Sequence, residues 1–202
     1  VYVPSGDATV TVNELTVEVT ATDETCAGAD GKINYTIAGG TAGTAGYTVV
    51  LSGSANKTVN QTAAGTYTFT GLAAGTYTVT VTDDHGCVAT AADTITLNNN
   101  FTVSASNTAI CSGDTFTVNP TASHTAKYSW AAPTATGIDG AEAGTDVSNI
   151  SGTLTNTTTS ATSITYTVTA TTANGLCTAP QFNVEVTVYA PVTGGSIQKD
   201  SI

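Results

Sequence analysis

Apolar and polar residues alternate with period two along much of the chain. The runs are Leu15/Val17/Val19, Ile33/Tyr35/Ile37, Tyr67/Phe69, Tyr77/Val79/Val81, Phe116/Val118, Ile164/Tyr166/Val168 and Phe182/Val184/Val186/Val188. Side chains of a strand point alternately to opposite faces, so each run predicts a strand with one face buried and one wet. Between the runs lie Gly39-Gly40, Gly43, Gly46, Gly53, Gly71 and Gly75, which supply the positive φ of tight turns. Helix signals are almost absent. Short strands with frequent turn signals predict antiparallel β-sandwiches. Ala63-Ala64-Gly65-Thr66-Tyr67-Thr68 is repeated at once as Ala73-Ala74-Gly75-Thr76-Tyr77-Thr78, which predicts two neighbouring strands with equivalent turns. The stretch from Ala131 to Asn149 is weakly patterned and acidic, with Asp139, Glu142 and Asp146, and predicts a long variable loop.

The four cysteines, Cys26, Cys87, Cys111 and Cys177, allow three pairings. The gap from Cys26 to Cys87 is 61 residues and that from Cys111 to Cys177 is 66. Thr9 to Cys26 and Thr94 to Cys111 are both spans of 18 residues with matching strand and Asn patterns. Two tandem modules, each closed by its own disulfide, Cys26–Cys87 and Cys111–Cys177, is the economical reading. Closing a loop of this length contributes about 4 kcal/mol on the chain-entropy model. No close C-x₂-C pair is present, so structural zinc is disfavoured and an oxidising extracellular compartment is expected. The modules are expected at residues 14–98 and 99–190. Residues 1–13 read as the closing strand of a preceding module or a linker. Residues 191–202 read as the start of a next module or a linker, with a further cysteine expected soon after.

Composition narrows the function classes. Fifteen acidic residues stand against four basic ones, giving a formal net charge of -11 at pH 7. All four basic residues are lysine, whereas nucleic-acid binding rests on clustered Lys and Arg that neutralise phosphates; that partner is excluded. With 40% apolar and 9% charged residues, the chain has apolar area to bury and is expected to fold. Threonine, roughly a fifth of the chain, suits the wet side of a sheet. No stretch approaches the roughly 18 apolar residues of a membrane span.

Cys26-Ala27-Gly28-Ala29-Asp30-Gly31, the Gly39-Gly40 turn with Tyr47, and Leu72-Ala73-Ala74-Gly75-Thr76-Tyr77-Thr78-Val79-Thr80-Val81-Thr82-Asp83-Asp84-His85-Gly86-Cys87 resemble the SprB-type repeat of Bacteroidota gliding-motility surface adhesins. Cys111-Ser112-Gly113-Asp114, Tyr128-Ser129-Trp130, Gly152 to Asn156, Ile164 to Ala170 and Cys177 resemble the PKD-like domain of similar exported proteins. The usual Trp-Asp-Phe-Gly-Asp-Gly signature is replaced, since Trp130 is followed by Ala131-Ala132-Pro133. The resemblance implies two tandem Ig-like antiparallel β-sandwich modules, export to the cell surface, and a place in a long string of modules.

No enzyme motif is present: His85 and His124 are the only histidines, and neither sits in a nucleophile or metal-protease pattern. An enzyme is not expected. No cofactor is demanded by any motif. Calcium is the candidate ligand, because it takes six to eight oxygens. A Cys26–Cys87 bridge would gather Asp23, Glu24, Asp30, Asp83 and Asp84 at one end of the first module, with carboxylate pKa values raised by crowding. Trp130 is expected in the core against a disulfide. The function expected is a structural and adhesive repeat segment of a large secreted filament adhesin for gliding and surface attachment. Its partners would be neighbouring modules and surface polysaccharide. The alternative is an accessory or carbohydrate-binding module of a secreted polysaccharide-degrading enzyme.

Overall fold

The computed structural model describes residues 13–191. The expected strand of a preceding module and the expected opening of a next one therefore lie outside the described residues. The described chain is all β. It divides in sequence between Asn98 and Asn99 into two compact units.

Unit 1 contains β1 (Thr16–Thr22), β2 (Glu24–Thr25), β3 (Gly31–Ala38), β4 (Tyr47–Gly53), β5 (Lys57–Gln61), β6 (Gly65–Leu72), β7 (Gly75–Thr82), β8 (Val88–Ile95) and β9 (Leu97–Asn98). A three-stranded sheet, β1-β3-β6, and a four-stranded sheet, β5-β4-β7-β8, form its two layers. The period-two pattern decides which face each strand buries. Ile33, Tyr35 and Ile37 of one layer meet Tyr47, Val49, Leu51, Tyr77, Val79 and Val81 of the other in a single core, while the intervening residues face outward. Burying side chains of this size contributes about 1.5–3 kcal/mol each before chain entropy is set against it. At one edge the Ala21 N–H of β1 donates to Asp93 Oδ2 of β8 at 2.8 Å, tying the layers together.

The duplicated Ala-Ala-Gly-Thr-Tyr motif opens β6 and β7. These strands are neighbours in sequence, as the repetition predicts, but lie in different sheets. What the motif repeats is a corner. Tyr67 Oη donates to Ala63 O at 2.8 Å and Tyr77 Oη to Ala73 O at 2.9 Å, and each corner glycine has φ of 151°. A tyrosine hydroxyl bonded back to the chain just upstream fixes the angle at which a strand enters its sheet.

Unit 2 contains β10 (Val103–Ser104), β11 (Thr108–Cys111), β12 (Thr115–Val118), β13 (Thr121–Ala122), β14 (Ala126–Trp130), β15 (Ile138–Asp139), β16 (Gly144–Val147), β17 (Ile150–Thr153), β18 (Thr155–Asn156), β19 (Thr162–Thr172) and β20 (Phe182–Tyr189). Its main sheet runs β11-β20-β19-β14-β16, with β11 parallel to β20. Shorter pairs, β12-β17, β10-β13 and β15-β18, make up the rest. Phe116 of β12 packs on Tyr166 of β19 with ring centroids 5.3 Å apart, which places the β12-β17 pair over the main sheet. The stretch from Ala131 to Asn149 is more ordered than its pattern predicts. It carries β15 and β16, because Ile138 is buried and Gly144 gives Trp130 room.

Candidate functional site

Three of the five candidate calcium carboxylates lie where the chain leaves unit 1. β2 pairs parallel with β9, Glu24 opposite Leu97 and Thr25 opposite Asn98. Glu24 is 3% exposed, and its carboxylate accepts from Ala29 N at 2.5 Å and from Ala74 N at 2.7 Å. Asp23 Oδ1 accepts from Thr96 N at 2.9 Å. Asp30 accepts from the N–H and hydroxyl of Thr25 at 2.7 and 2.6 Å. Each carboxylate is thus occupied in pinning a loop.

The other two lie at the opposite pole, where the chain joins β1. Asp83 Oδ2 accepts from Thr41 N at 3.0 Å, and its Oδ1 accepts from His85 N at 3.0 Å and Cys87 N at 2.8 Å. Asp84 N donates to Thr41 O. The two poles are the two ends of the β7-β8 hairpin, where Gly75 pairs with Ile95 and Thr82 with Val88. Seven residue steps along β7 separate them, about 23 Å at the rise of a strand. The five carboxylates are therefore not gathered, and no group of three or more metal-ligating acids, histidines or cysteines occurs among the described residues. The crowding expected to raise their pKa values is replaced by its opposite. Hydrogen bonds from Thr96 to Asp23, from Thr25 to Asp30 and from Thr41 to Asp83 hold these carboxyls below their ordinary value.

This has a pH consequence with a definite sign. A carboxyl whose folded pKa is depressed stabilises fully above its unfolded value of about 3.9 and loses that contribution as pH falls through the folded value. The melting temperature of the chain is expected to be level from neutral pH down to about 5 and to fall steeply below about 4. Calorimetry across that range checks it, and a midpoint unchanged at pH 3 would remove the role given to these carboxylates.

The cysteines overturn the expected pairing. Cys26 and Cys177 are each disulfide-bonded, whereas Cys87 and Cys111, the expected partner of each, are exposed thiols. The reason is geometric. Cys26 Sγ lies 3.8 Å from Asn98 O, at the Gly75/Ile95 end of unit 1, while Cys87 adjoins Thr82 and Val88 at the far end. In unit 2, Cys111 pairs with Tyr189 at the end of β20. Cys177 instead exchanges bonds with Thr172, beyond the other end of that strand. Both intended pairs would have to span the length of a strand, about 23 Å or more, where a disulfide needs Cα atoms within about 7 Å.

Trp130 is buried in the core, as expected. Its ring meets Tyr166 edge-on at 6.1 Å, and Nε1 donates to Glu142 O at 2.9 Å. A Cβ added at Gly144 would lie 2.4 Å from the indole. Gly144→Ala is therefore expected to cost about 1–3 kcal/mol, the usual penalty of overpacking, and to red-shift the emission of the chain's one tryptophan. Unchanged emission and unchanged stability would show that the ring moves aside freely. Outside the indole an open depression of about 420 Å³ is lined by Ser129, Ala131, Gly144, Thr145, Thr167 and Gln181.

The residue that periodicity could not single out is Asn156. It is 1% exposed and uses all its hydrogen-bonding capacity. Nδ2 donates to Ser160 O and Val188 O, both at 2.8 Å, and Oδ1 accepts from the N–H and hydroxyl of Thr158 at 2.8 and 2.7 Å. In sequence it looks like a glycosylation sequon, Asn156-Thr157-Thr158; burial withholds its amide from such chemistry.

Residues 108–191 match the PKD-like domain family. No curated protein matches the chain. Among solved structures it is similar to murine CEACAM1b, at 10% identity and TM-score 0.28, covering 86% of this chain and 100% of that one. It is also similar to the BSP domain of a biofilm-associated protein, at 15% identity and TM-score 0.27, covering 89% of this chain and 31% of that one. A third is SGBP-B of the Bacteroides ovatus mixed-linkage glucan utilization locus, in complex with a mixed-linkage heptasaccharide. It has 15% identity and TM-score 0.27, covering 89% of this chain and 46% of that one. The chain thus spans under half the length of the last two. Most of unit 2, residues 108–191, is thus similar to PKD-like domains.

Proposed function

We propose that the chain is a structural and adhesive segment of a large secreted surface protein, built of repeated β-sandwich units and used for attachment and gliding. The observation that carries this reading is the repetition of one plan. Each unit sets one cysteine beside its last strand and one in a Gly-containing turn at the opposite pole, and the second unit is similar to PKD-like domains. Repeated units extend reach, and many weak contacts along them give avidity without a single tight site. The disulfide supports an oxidising, extracellular setting. The outward threonines support a solvated scaffold, since many bond across strands to one another, as Thr36 with Thr66 and Thr115 with Thr153. The excess of negative charge favours solubility and extension.

Antibodies raised against the chain, applied to intact cells that carry the gene, test this reading. Surface label that travels along gliding cells, and loss of attachment on deleting the gene with polysaccharide hydrolysis unchanged, is the expected result. Label confined to a secreted polysaccharide-degrading activity would overturn it and favour an accessory carbohydrate-binding module, with the depression beside Trp130 as the face to examine.

A further inference from the structure

The turn at residues 172–177, which leads from β19 towards β20, carries the chain's one Asn-Gly pair, Asn174-Gly175. Ala173, Asn174, Gly175 and Leu176 are exposed, whereas Thr172 and Cys177 at its base are each 2% exposed. Asn174 holds the exposed part in shape, its Oδ1 accepting from Thr172 Oγ1 at 2.6 Å and from Leu176 N at 3.1 Å. Thr172 in turn holds Cys177. Its N–H donates to Cys177 O at 2.9 Å, and Cys177 N donates to its Oγ1 at 3.0 Å. The Thr172 hydroxyl thus links the Asn174 side chain to a disulfide-bonded cysteine.

A backbone nitrogen can attack the side-chain amide carbon of the asparagine before it, and a side chain on the attacking residue crowds that approach. Glycine has none. Every other asparagine of the chain precedes a residue with a Cβ. Two aspartates, Asp30 and Asp139, also precede glycine, and the structure sets both aside. The Asp30 carboxylate is held by the Thr25 N–H and hydroxyl, and Gly31 is buried against Leu72 and Ile95. Asp139 is fixed in β15 opposite Thr155, and a carboxylate offers no leaving group as good as the ammonia of an amide. Gly175, by contrast, has φ of 74° and open space where a Cβ would stand. Its N–H donates to Thr172 O at 2.8 Å. Opening one exposed turn is far cheaper than unfolding the unit, so that bond delays the attack without barring it.

We propose that Asn174 is a site of self-modification, where ageing converts the asparagine to isoaspartate and aspartate and releases the grip on Cys177. The Gly175 nitrogen gives up its proton to solvent base and bonds to Asn174 Cγ. The bond from Cγ to Nδ2 breaks, and ammonia leaves with a proton taken from water, closing a succinimide. Water then adds to either ring carbonyl. One opening gives aspartate, the other isoaspartate, whose main chain runs through Cβ and Cγ. That extra main-chain carbon shifts Leu176 relative to Thr172, so the oxygen that bonded both no longer reaches both. The Thr172 hydroxyl is then no longer held against Cys177 N, and the disulfide of Cys177 opens to attack by thiolates, whose rate depends on access. The inference rests on this turn and is independent of the adhesive reading above.

Storage of the purified chain at mildly alkaline pH, followed by peptide mass spectrometry that separates isoaspartate from aspartate, tests the first step. Deamidation is expected at Asn174 at least about tenfold faster than at any other asparagine, with isoaspartate among the products. Deamidation there only after denaturation would overturn the proposal. The second step is read by alkylating Cys177 after brief exposure to reduced glutathione, and aged chain should be labelled several-fold faster than fresh chain. Asn174→Asp, folded by tryptophan emission, keeps the acceptor oxygen and the normal main chain and should match fresh chain. Aged chain labelled no faster than Asn174→Asp would show that the turn keeps its hold on Cys177, contrary to the inference.

Discussion

Replacing Asn156 with alanine is expected to lower the unfolding midpoint of unit 2 by roughly 15–25 °C, following a loss of about 3–4 kcal/mol. The side chain is 1% exposed and serves four hydrogen bonds at once. It anchors the loop after β18 to the last carbonyls of β20, so its removal strands the Val188 carbonyl and the Thr158 N–H away from water. An unpaired buried polar group costs about 1–3 kcal/mol, which makes this a far larger effect than loss of the side chain's small apolar area. Trp130 is the only tryptophan of the chain and lies in unit 2, so its fluorescence reports that unit's melting directly. A midpoint within about 3 °C of the parent, less than 1 kcal/mol for a unit of this size, would mean that water replaces the amide. Asn156→Asp is expected to be as damaging, because it sets a carboxylate oxygen against two carbonyls while keeping the shape.

Glu24→Ala is expected to cost unit 1 about 3 kcal/mol, since two N–H groups that met a buried charge, those of Ala29 and Ala74, lose their acceptor. These bonds hold the loop after β2 against the corner that starts β7. Amide exchange should therefore accelerate first at Ala29, Ala74 and the neighbouring end of β7, before the central residues of β3 and β4. Glu24→Gln keeps one acceptor oxygen and should lose about half as much. Calcium enters as a control: with the acidic residues split between two poles, millimolar calcium is expected to leave the midpoint of the parent unchanged. A marked calcium-induced rise would show that Glu24 or Asp83 is available as a ligand, contrary to their hydrogen bonds.

The strands themselves were legible. Tyr77/Val79/Val81 and Phe182/Val184/Val186/Val188 alternate so regularly that only one face can be buried, and all of these but the half-buried Phe182 are found at the core. Side-chain alternation is a local property of extended backbone, so a sequence carries it openly. The duplicated Ala-Ala-Gly-Thr-Tyr motif was legible as a repeated turn but not as strands of opposite sheets, because a local motif specifies the corner and not the sheet that receives the strand. Ala131 to Asn149 concealed β15 and β16 for a related reason. Ile138 is the apolar anchor of a two-residue pair, too short for periodicity to register.

The acidic cluster and the disulfides were inferred together, and they failed together. Bonding Cys26 to Cys87 was what brought Asp23, Glu24 and Asp30 towards Asp83 and Asp84. Once β7 stands between them at full length, both proposals lose their ground. The similar gaps of 61 and 66 residues are a property of any repeat that carries one cysteine at each pole, and are the same whichever cysteines are joined. What the sequence alone determined is the all-β class, the strand faces and the repeat of a two-cysteine plan, since each is written in spacing along the chain. Only the tertiary structure decided which cysteines are bonded, that the carboxylates act as loop pins, and that Asn156 is buried, because each depends on which ends of a strand meet in space.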